Sequence, residues 1–392
     1  MTTKASVGSS SEVDPKKAGS NACREALGNL KNPKLLIVFA SSKYNQQELI
    51  SSIREVSGDV PLIGCSTAGE ITNNGPFKES VAIMAIESDE MRIVTADGGK
   101  ISPSPREAGS RLAKEIIKKT GGESVNAILM LIDVLTGNGA DTVRGVRDIT
   151  KDNNLIIGGA AGDDFDFKKT TQYYNDKALS SSIVGVGISG DNIINVGVRH
   201  GWVPIGTVMK VTKSDGAVLQ EIDGKPAVYI YEDYFGKKAE ELREEPLAKM
   251  AITYPLGMTI EGSDELLVRD PITVDENGAI TCAAEVPVGS EIRLMIGNKE
   301  EAIKAAEEAA TIALENLNGK EPAGAIIFNC IARNKLFGRF AKDEINAIRQ
   351  VLGEKTPIIG FYTYGEIAPF NGKSNLICRF HNETAVIMVF GK

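Results

Sequence analysis

The sequence predicts an α/β protein in which repeated α-β-α-β-β units form mixed sheets, with an antiparallel hairpin insert in the second half. Three observations predict this class. One pattern of helix, apolar strand, helix and short strand occurs three times along the 392 residues. The apolar strands lack polar alternation, which is typical of strands covered on both faces. Helices between strands also require crossover connections, so we expect at least partly parallel sheets.

Each unit begins with a helix that has a recognisable start signal. Asp14 and Ser104 each precede a proline, which favours a capping residue followed by proline at the first helical position. Glu107 lies three residues after Ser104 and predicts a capping box. Asn298 is followed by acidic residues within the next three positions. We therefore expect a helix N-terminus at each of these places.

An apolar strand follows each of these helices, then a second helix, a short strand and a closing strand. The predicted apolar strands are residues 35–40, 127–132 and 325–328, the second helices are residues 45–57, 140–150 and 341–352, and the closing strands are residues 80–87, 182–189 and 384–390. The short strand ends in Ile-Gly at Gly64, Gly158 and Gly360. We expect the three glycine bends to converge in space.

A segment of different character, residues 206–297, lies between the second and third units. Asp223-Gly224 and Asn277-Gly278 each separate two β-type runs, and both dipeptides are strong hairpin signals. The first is expected to join strands 218–222 and 227–231, and the second to join strands 272–274 and 279–282. We place a domain boundary near Trp202, which gives two domains, residues 1–202 and 203–392.

Composition excludes several classes of function. The net charge is −8 and basic residues occur only in short pairs, so we expect no nucleic-acid partner. The longest apolar runs are far shorter than the roughly 20 residues of a membrane-spanning helix. Five scattered cysteines without a Cys-x-x-Cys pair indicate a reducing compartment, which favours the cytoplasm. Because no Cys/His cluster, P-loop or Gly-x-Gly-x-x-Gly motif occurs, we expect no metal and no cofactor.

The clearest internal similarity lies between residues 61–71 and 357–367, which share Pro, Ile, Gly, Thr, Gly, Glu and Ile in register. A glycine at a strand end lets the chain turn sharply at the carboxyl edge of a sheet, where open α/β sheets bind ligands. A second glycine leaves amide groups accessible. We therefore expect a small zwitterion, with the amides and Thr67 binding its carboxylate and Glu70 its ammonium group.

The predicted ligand-binding residues lie at or just beyond the carboxyl ends of strands. They are Gly64, Cys65, Ser66, Thr67, Gly69, Glu70, Asp133, Gly159, Ala160, Asp163, Asn329, Arg333, Tyr362, Thr363 and Glu366. A structural role stays open for several of them. Glu70 and Glu366 could cap the amides of their own turns, Arg333 could form a surface or interdomain salt bridge, and Asp133 could cap a helix.

The bends at residues 64–71, 158–163 and 360–367 together resemble the signature of the FIST family. The first two resemble its N-terminal domain and the third its C-terminal domain, as do residues 329–333 and 211–227. The resemblance implies a sensory input module of signal transduction that binds a small ligand, with amino acids among the proposed ligands. Since the two domains leave no room for an output module, we expect a separate signalling partner.

Two other functions remain open. A cysteine-dependent enzyme could use Cys65 or Cys330, but such a nucleophile needs a nearby base and a lowered pKa, and neither histidine adjoins a cysteine. A structural adaptor could present residues 206–297 to a partner, which predicts a large exposed apolar patch there. Catalytic residues are therefore not assigned.

Overall fold

Three α/β units with the same strand order surround one apolar core, and an antiparallel insert interrupts the third unit. The computed structural model describes residues 3–191, 193–236, 241–242, 247–315, 317, 319–370 and 377–392. The α/β class with mixed sheets is confirmed. Within these residues, no helix is both long and apolar enough to span a bilayer.

Units one and two follow one another without interruption. Unit one comprises β1 (Thr3–Ser10), α1 (Pro15–Leu27), β2 (Leu35–Ser41), α2 (Gln46–Ser57), β3 (Leu62–Thr67), β4 (Glu70–Thr72), β5 (Gly75–Phe77) and β6 (Val81–Ser88). Unit two comprises β7 (Met91–Lys100), α3 (Pro105–Lys119), β8 (Ala127–Ile132), α4 (Gly139–Thr150), β9 (Leu155–Ala160), β10 (Gln172–Tyr174), β11 (Lys177–Leu179) and β12 (Ser182–Gly190).

Unit three starts before the insert and continues after it. The insert comprises β14 (Trp202–Asp215), β15 (Val218–Ile222), β16 (Lys225–Pro226), α5 (Tyr229–Phe235), α6 (Leu247–Ala251), β17 (Leu256–Met258), β18 (Leu267–Arg269), β19 (Pro271–Val274), β20 (Ile280–Cys282) and β21 (Glu291–Gly297). Unit three comprises β13 (Ile194–Arg199), α7 (Lys299–Glu315), β22 (Pro322–Cys330), α8 (Ile331–Phe337), α9 (Ala341–Leu352), β23 (Ile358–Thr363), β24 (Glu366–Pro369), β25 (Cys378–His381) and β26 (Ala385–Gly391).

The three units exchange hairpins in a closed cycle. The four long strands of each unit lie side by side in the same order, which is β1-β6-β2-β3 in unit one, β7-β12-β8-β9 in unit two and β13-β26-β22-β23 in unit three. The last two strands of each order are parallel to each other. Hairpin β10–β11 of unit two extends the sheet of unit one, β24–β25 of unit three extends that of unit two, and β4–β5 of unit one extends that of unit three. Each unit therefore completes the sheet of another.

Each central strand is buried on both faces, as its uninterrupted apolar sequence predicts. The inner faces contribute Phe39, Leu129 and Phe328 to one core shared by all three units. The outer faces pack against the helices of the same unit; Val38, for example, belongs to the same hydrophobic cluster as Ile50 of α2. Burial on both sides explains why a polar residue is absent from the middle of these strands.

The glycine of each Ile-Gly pair does not form the turn that the sequence predicts. Gly64 and Gly360 lie inside strands, and Gly158 does so as well. A Cβ atom at these positions would lie 2.0, 2.4 and 1.8 Å from the carbonyl oxygens of Val38, Ile327 and Met130, respectively. The repeated glycine is therefore required by close approach to the adjacent parallel strand, and the chain bends several residues later.

Two of the three predicted cap residues behave as the sequence predicts. The side chains of Asp14 and Asn298 accept a hydrogen bond from an N–H group of the first helical turn, at 2.8 and 2.9 Å. The predicted capping box at Ser104 is wrong, because its side chain makes no cap hydrogen bond although α3 does begin at Pro105. Proline is favoured at the first helical position, which agrees with this start.

The insert forms its own antiparallel sheet, with β14 paired to both β15 and β21. The second predicted hairpin is confirmed as β19–β20. The first is only partly correct, because β15 turns back into the two-residue strand β16 and residues 229–235 form α5. The predicted domain division after residue 202 falls at the first residue of β14, shortly after β13, which pairs with β26. This division stays a prediction.

Candidate functional site

The three bends that follow β3, β9 and β23 meet at one place, where main-chain hydrogen bonds join each bend to the other two. The bonds between them include Ala68 N to Tyr362 O (3.1 Å), Gly162 N to Ser66 O (2.9 Å) and Ala160 N to Gly365 O (2.8 Å). These amides are thus used to connect the units. Gly69 and Gly365, with φ of 130° and 150°, adopt a backbone conformation that favours glycine.

Two of the bends contain the same closed side-chain network. In unit one, the Thr67 hydroxyl donates to Oε1 of Glu70, and the N–H and hydroxyl of Ser80 donate to Oε2 at 3.2 and 2.5 Å. The equivalent residues of unit three are Thr363, Glu366 and Thr384. Burial raises the pKa of both glutamates to about 8, although the hydroxyl and amide donors act in the opposite direction.

The middle bend uses its acidic residues differently. Asp164 occupies the position equivalent to Glu70 and extends to unit one, where its Oδ2 accepts hydrogen bonds from the Ser41 hydroxyl and from the N–H and hydroxyl of Ser42 at 2.8, 2.9 and 2.6 Å. Asp163 accepts hydrogen bonds from three N–H groups of its own loop, those of residues 167, 168 and 169. The loop is therefore closed on itself by one carboxylate and attached to unit one by the next.

Tyr364 of unit three holds this loop from the other side. Its hydroxyl donates to Asp163 Oδ1 and accepts hydrogen bonds from the N–H groups of Asp163 and Phe165, at 3.2 and 2.9 Å. The ring of Phe167 stacks on the Tyr364 ring with centroids 4.5 Å apart. Asp164, Phe165 and Phe167 have φ of 58°, 75° and 53°, which is unfavourable for residues other than glycine. This strained loop presents two aromatic rings to solvent.

A cleft of about 150 Å³ lies directly beside the joined bends. We call it the three-unit cleft, because segments of all three units line it. The lining residues are Lys43, Ala68, Lys78 and Glu79 of unit one, Asp164, Phe165 and Asp166 of unit two, and Ile331, Asn334 and Lys335 of unit three. Pockets for drug-sized ligands usually measure roughly 300–1,000 Å³, so this cleft suits a smaller molecule.

All of the ligand-binding residues predicted from the sequence are buried, and none of them lines the three-unit cleft. The structure brings together the bends that contain Gly64, Ser66, Thr67, Gly69, Glu70, Gly159, Ala160, Asp163, Tyr362, Thr363 and Glu366. Their immediate neighbours Ala68 and Asp164 are the residues that reach the cleft. Contact of the predicted residues with a ligand therefore stays a prediction.

Arg333 and Asn329 lie in a separate buried network. The Arg333 guanidinium pairs with Glu344 of α9, and Asn329 Nδ2 donates to the other oxygen of that carboxylate at 2.7 Å. The guanidinium also donates to the main-chain carbonyls of His200, Glu383 and Ala302. All three nitrogens of the Arg333 side chain therefore donate hydrogen bonds. Asp133 accepts hydrogen bonds from Leu135 N at 2.8 Å and Ser181 N at 3.1 Å, which fixes the turn after β8.

Cys65 and Cys330 are both buried thiols. Cys65 belongs to the shared inner core, and Cys330 ends β22 with 3% of its surface exposed. Burial, followed by the nearby carboxyl groups, raises the pKa of each thiol well above its usual value. A raised pKa removes the thiolate that a nucleophile requires. In the part of the chain that the structure describes, no three His, Cys, Asp or Glu side chains are grouped as a metal site.

The cleft residues that sequence reasoning missed come from turns without a repeated pattern. Lys43 follows β2 and Lys78 follows β5, both in unit one, and Lys335 lies on the short helix α8. One signal was available: Ala68 and Ile331 lie inside the predicted loops, and Asp164 follows the predicted acidic residue directly. Extending each predicted loop by one or two residues would have included Asp164 and Asn334.

The fold and the joined bends define a two-domain α/β protein of repeated units with a small cleft where the units meet. Residues 34–225 match the FIST N domain, and residues 227–369 match the FIST C domain. The chain belongs to the FIST family, as the resemblance of its three bends implies. Domains of this family are associated with sensory signalling.

The chain is also similar to curated proteins that have no described function. An uncharacterized protein of Mycobacterium tuberculosis strain H37Rv, Rv0628c, is 25% identical over 98% of both chains. The uncharacterized protein MJ1623 of Methanocaldococcus jannaschii is 24% identical over 88% of this chain and 71% of that protein.

Solved structures show only distant similarity. A cyanuric acid hydrolase has a TM-score of 0.40 at 8% identity, with both chains fully covered. A chorismatase has a TM-score of 0.38 at 7% identity, covering 100% of this chain and 98% of that one. At such values, neither similarity transfers a reaction to this protein.

Proposed function

We propose that this protein is a non-catalytic sensory protein that binds a small polar ligand in the three-unit cleft and signals to a separate protein. The observation that carries the proposal is the composition of the cleft, to which each of the three units contributes at least three residues. A ligand there contacts all three units at once. Its binding energy is therefore available to shift the units relative to one another, which is what a sensory domain requires.

The strained loop of unit two supports the same site. Three of its residues have positive φ without being glycine, and such backbone costs about 1–3 kcal/mol per residue. Strain of this kind is concentrated at binding sites and switch regions. Here it positions Phe165 at the cleft and exposes 38% of that side chain. The loop is thus held in the conformation that shapes one wall of the cleft.

Amino acids are the first ligand class to test. The cleft contains side chains of both charge signs, including Asp166 and Lys335, beside the apolar Ala68 and Ile331. A zwitterion of metabolite size complements such a lining. In this proposal, ammonium and carboxylate groups are recognised by the cleft side chains. The buried Thr67 and Glu70 support the bend from behind.

The proposal includes a cytoplasmic location and no nucleic-acid partner. Cys23 and Cys282 are free, as are the other three cysteines, and all five are buried. Free thiols are typical of proteins from reducing compartments. The net charge of −8 opposes association with phosphate backbones.

A thermal-shift screen against the common amino acids and other small polar metabolites tests the proposed function. At least one compound is expected to raise Tm, and Asn334→Phe, which fills the cleft, is expected to abolish that shift. The Tm of Asn334→Phe without ligand shows whether the variant is folded. The proposal fails if no compound stabilises the protein, or if the stabilising compound binds Asn334→Phe equally well.

The cysteine-enzyme alternative has its own measurement. Iodoacetamide labelling of the native protein at neutral pH is expected to leave Cys65 and Cys330 unmodified, because both thiols are buried and have raised pKa values. The urea-unfolded protein provides the control for full labelling. Labelling of either residue in the native state faster than in urea would revive the enzyme hypothesis.

A further inference from the structure

Two lysines of the three-unit cleft come from different units and have no acidic partner. Lys78 lies between β5 and β6 of unit one, and Lys335 lies on α8 of unit three. Among the residues that the structure describes, neither forms an ion pair, whereas Lys43 Nζ lies 3.3 Å from Glu79 Oε1. The cleft therefore contains two ammonium groups available to an incoming molecule.

The position of Lys335 is set by its neighbours. Its Nζ lies 4.2 Å from the centroid of the Phe165 ring, which attracts the cation through the ring face. Partial burial lowers the pKa of Lys335, and the positive charge of Lys78 lowers it further. Each ammonium group thus raises the free energy of the other. An anion placed between them would remove this repulsion.

Two of the three acidic residues of the cleft are already engaged. Asp164 accepts three hydrogen bonds from Ser41 and Ser42, and Glu79 pairs with Lys43. Asp166 is largely exposed, and its Oδ2 lies 4.0 Å from Nζ of Lys168, which is outside the cleft. The groups left for a ligand are therefore two ammonium groups and one exposed carboxylate, which is an excess of positive charge.

We propose that the three-unit cleft binds a small organic anion whose carboxylate or phosphate oxygens bridge Lys78 of unit one and Lys335 of unit three. The inference rests on the proposed function and specifies its ligand class: an acidic metabolite is preferred over a neutral zwitterion. Charge-assisted hydrogen bonds to both ammonium groups connect two units across the cleft. The anion also contacts the strained loop of unit two through Phe165, so all three units respond to its presence.

Isothermal titration calorimetry with four probes tests the ligand class. Succinate and glycerol 3-phosphate represent the carboxylate and phosphate sources, glycine is the neutral zwitterion, and putrescine is the cation. At least one of the first two is expected to bind at least about tenfold more tightly than glycine, with an affinity that falls as salt rises. Putrescine is expected not to bind. The acid that binds more tightly identifies the source of the anion.

Charge-removing variants locate the contact. Lys78→Gln and Lys335→Gln are each expected to weaken anion binding about tenfold, since each variant removes one charge-assisted hydrogen bond to the anion. Lys16→Gln is the matched control, because it removes the same charge from the exposed first turn of α1. Its affinity should stay within about twofold of the wild type.

The outcomes separate this inference from the proposed function. Binding of glycine or putrescine in preference to both acids, or anion binding unaffected by Lys78→Gln and Lys335→Gln, overturns the anion bridge and leaves a ligand-binding cleft. Absence of binding by all four probes, together with a negative metabolite screen, refutes both the anion bridge and the proposed ligand-binding function.

A ligand-free measurement tests the juxtaposition of the lysines itself. The pKa of the Lys335 ammonium group, followed by NMR of lysines labelled at Cε, is expected to rise in Lys78→Gln because a like charge has been removed. The same titration in Lys16→Gln should match the wild type. An unchanged Lys335 pKa in Lys78→Gln would show that the two groups do not share the cleft and would refute the bridge.

Discussion

Arg333 and Glu344 form an ion pair in which both side chains are completely buried, with Nε and Nη2 of the arginine 2.8 and 2.6 Å from the same carboxylate oxygen. Nη2 also donates to the carbonyl of Ala302 at 2.7 Å, and Nη1 donates to that of Glu383 at 3.2 Å. The pair thereby connects α7, α8, α9 and the turn before β26. A guanidinium with this set of partners organises unit three from within.

Arg333→Met should destabilise the protein without acting on the ligand directly. The substitution leaves the Glu344 carboxylate buried without its cation, which costs about 3–5 kcal/mol. Urea unfolding measures the loss. Arg339→Met is the control, because Arg339 is exposed in the next turn of chain, and its effect should stay within about 0.5 kcal/mol. A stable Arg333→Met variant with weakened ligand binding would instead support the ligand role considered from the sequence.

The twin glutamates Glu70 and Glu366 make stability depend on pH. Burial raises the pKa of each carboxyl group from its usual range near 4.5 to about 8. Between these values the folded protein binds more protons than the unfolded chain. Stability contributed by these groups is therefore fully present below about pH 4.5 and falls as pH rises through about 8.

Glu70→Gln and Glu366→Gln should flatten this dependence. An amide cannot ionise, so each variant removes one source of the pH slope, and the double variant removes both. Chemical denaturation at intervals from pH 5 to 9 measures the slope. Glu48→Gln, on the exposed surface of α2, is the control and should retain the wild-type slope. Equal slopes in the double variant and the wild type would show that the buried carboxyl groups titrate normally.

The sequence predicts the repeated units well because their central strands are buried on both faces, and only apolar residues survive there. Residues 127–132 form β8 as predicted, and residues 341–352 form α9. The exchanged hairpins were missed, because strands of three or four residues such as β4 and β10 are too short to show periodicity. Strand β1 was missed as well, since six of its eight residues are polar or glycine and the other two are alanine and valine.

The candidate site was predicted less completely for a related reason. Sequence repetition identifies positions that have the same structural role in each unit. In this protein, those positions lie where the units are joined. Glu70 and Glu366 illustrate this, because both carboxyl groups accept hydrogen bonds from hydroxyl groups of their own units. A ligand contact, by contrast, needs residues that differ between the units, and Lys78 and Lys335 have no counterpart in a repeated motif. Their proximity depends on tertiary structure.

A second pair of buried acids joins the insert to unit three. Asp270 follows β18, and Glu383 lies in the turn before β26 with φ of 61°. The two carboxyl groups influence each other: burial raises the pKa of Asp270 to about 7, and burial together with the nearby Asp270 carboxyl raises the pKa of Glu383 well above its usual value. Asp270 Oδ1 and both carboxyl oxygens of Glu383 are buried without a hydrogen-bond partner in the described part of the chain, so ionisation of both groups would bury two like charges near each other.

Alkaline pH should therefore loosen the insert. Because both pKa values are raised in the folded state, the stabilisation is present at low pH and is lost as pH rises through about 7 and beyond. Hydrogen exchange of β18 and β19, corrected for the intrinsic pH dependence, should increase between pH 6 and 9 in the wild type. Asp270→Asn, which keeps a hydrogen-bond donor at any pH, should suppress that increase. An identical increase in Asp270→Asn would exclude the carboxyl pair as its cause.

Tyr364→Phe should loosen the strained loop of unit two and weaken ligand binding. The variant deletes the hydroxyl that accepts hydrogen bonds from the N–H groups of Asp163 and Phe165 and donates to the Asp163 carboxylate. Loss of a partner for a buried donor costs about 1–3 kcal/mol, which is comparable to the strain of one residue with positive φ. The loop can then relax, and Phe165 loses its fixed position beneath Lys335.

Two measurements check this expectation. Amide exchange of residues 163–169 should accelerate in Tyr364→Phe, and the affinity for any ligand found for the three-unit cleft should fall several-fold while the rest of the fold is retained. Tyr229→Phe is the control, because Tyr229 is 43% exposed on α5 of the insert and lies outside the cleft. Faster exchange with unchanged affinity would show that the loop conformation is not needed for binding, because Tyr364 would then support the fold without shaping the cleft.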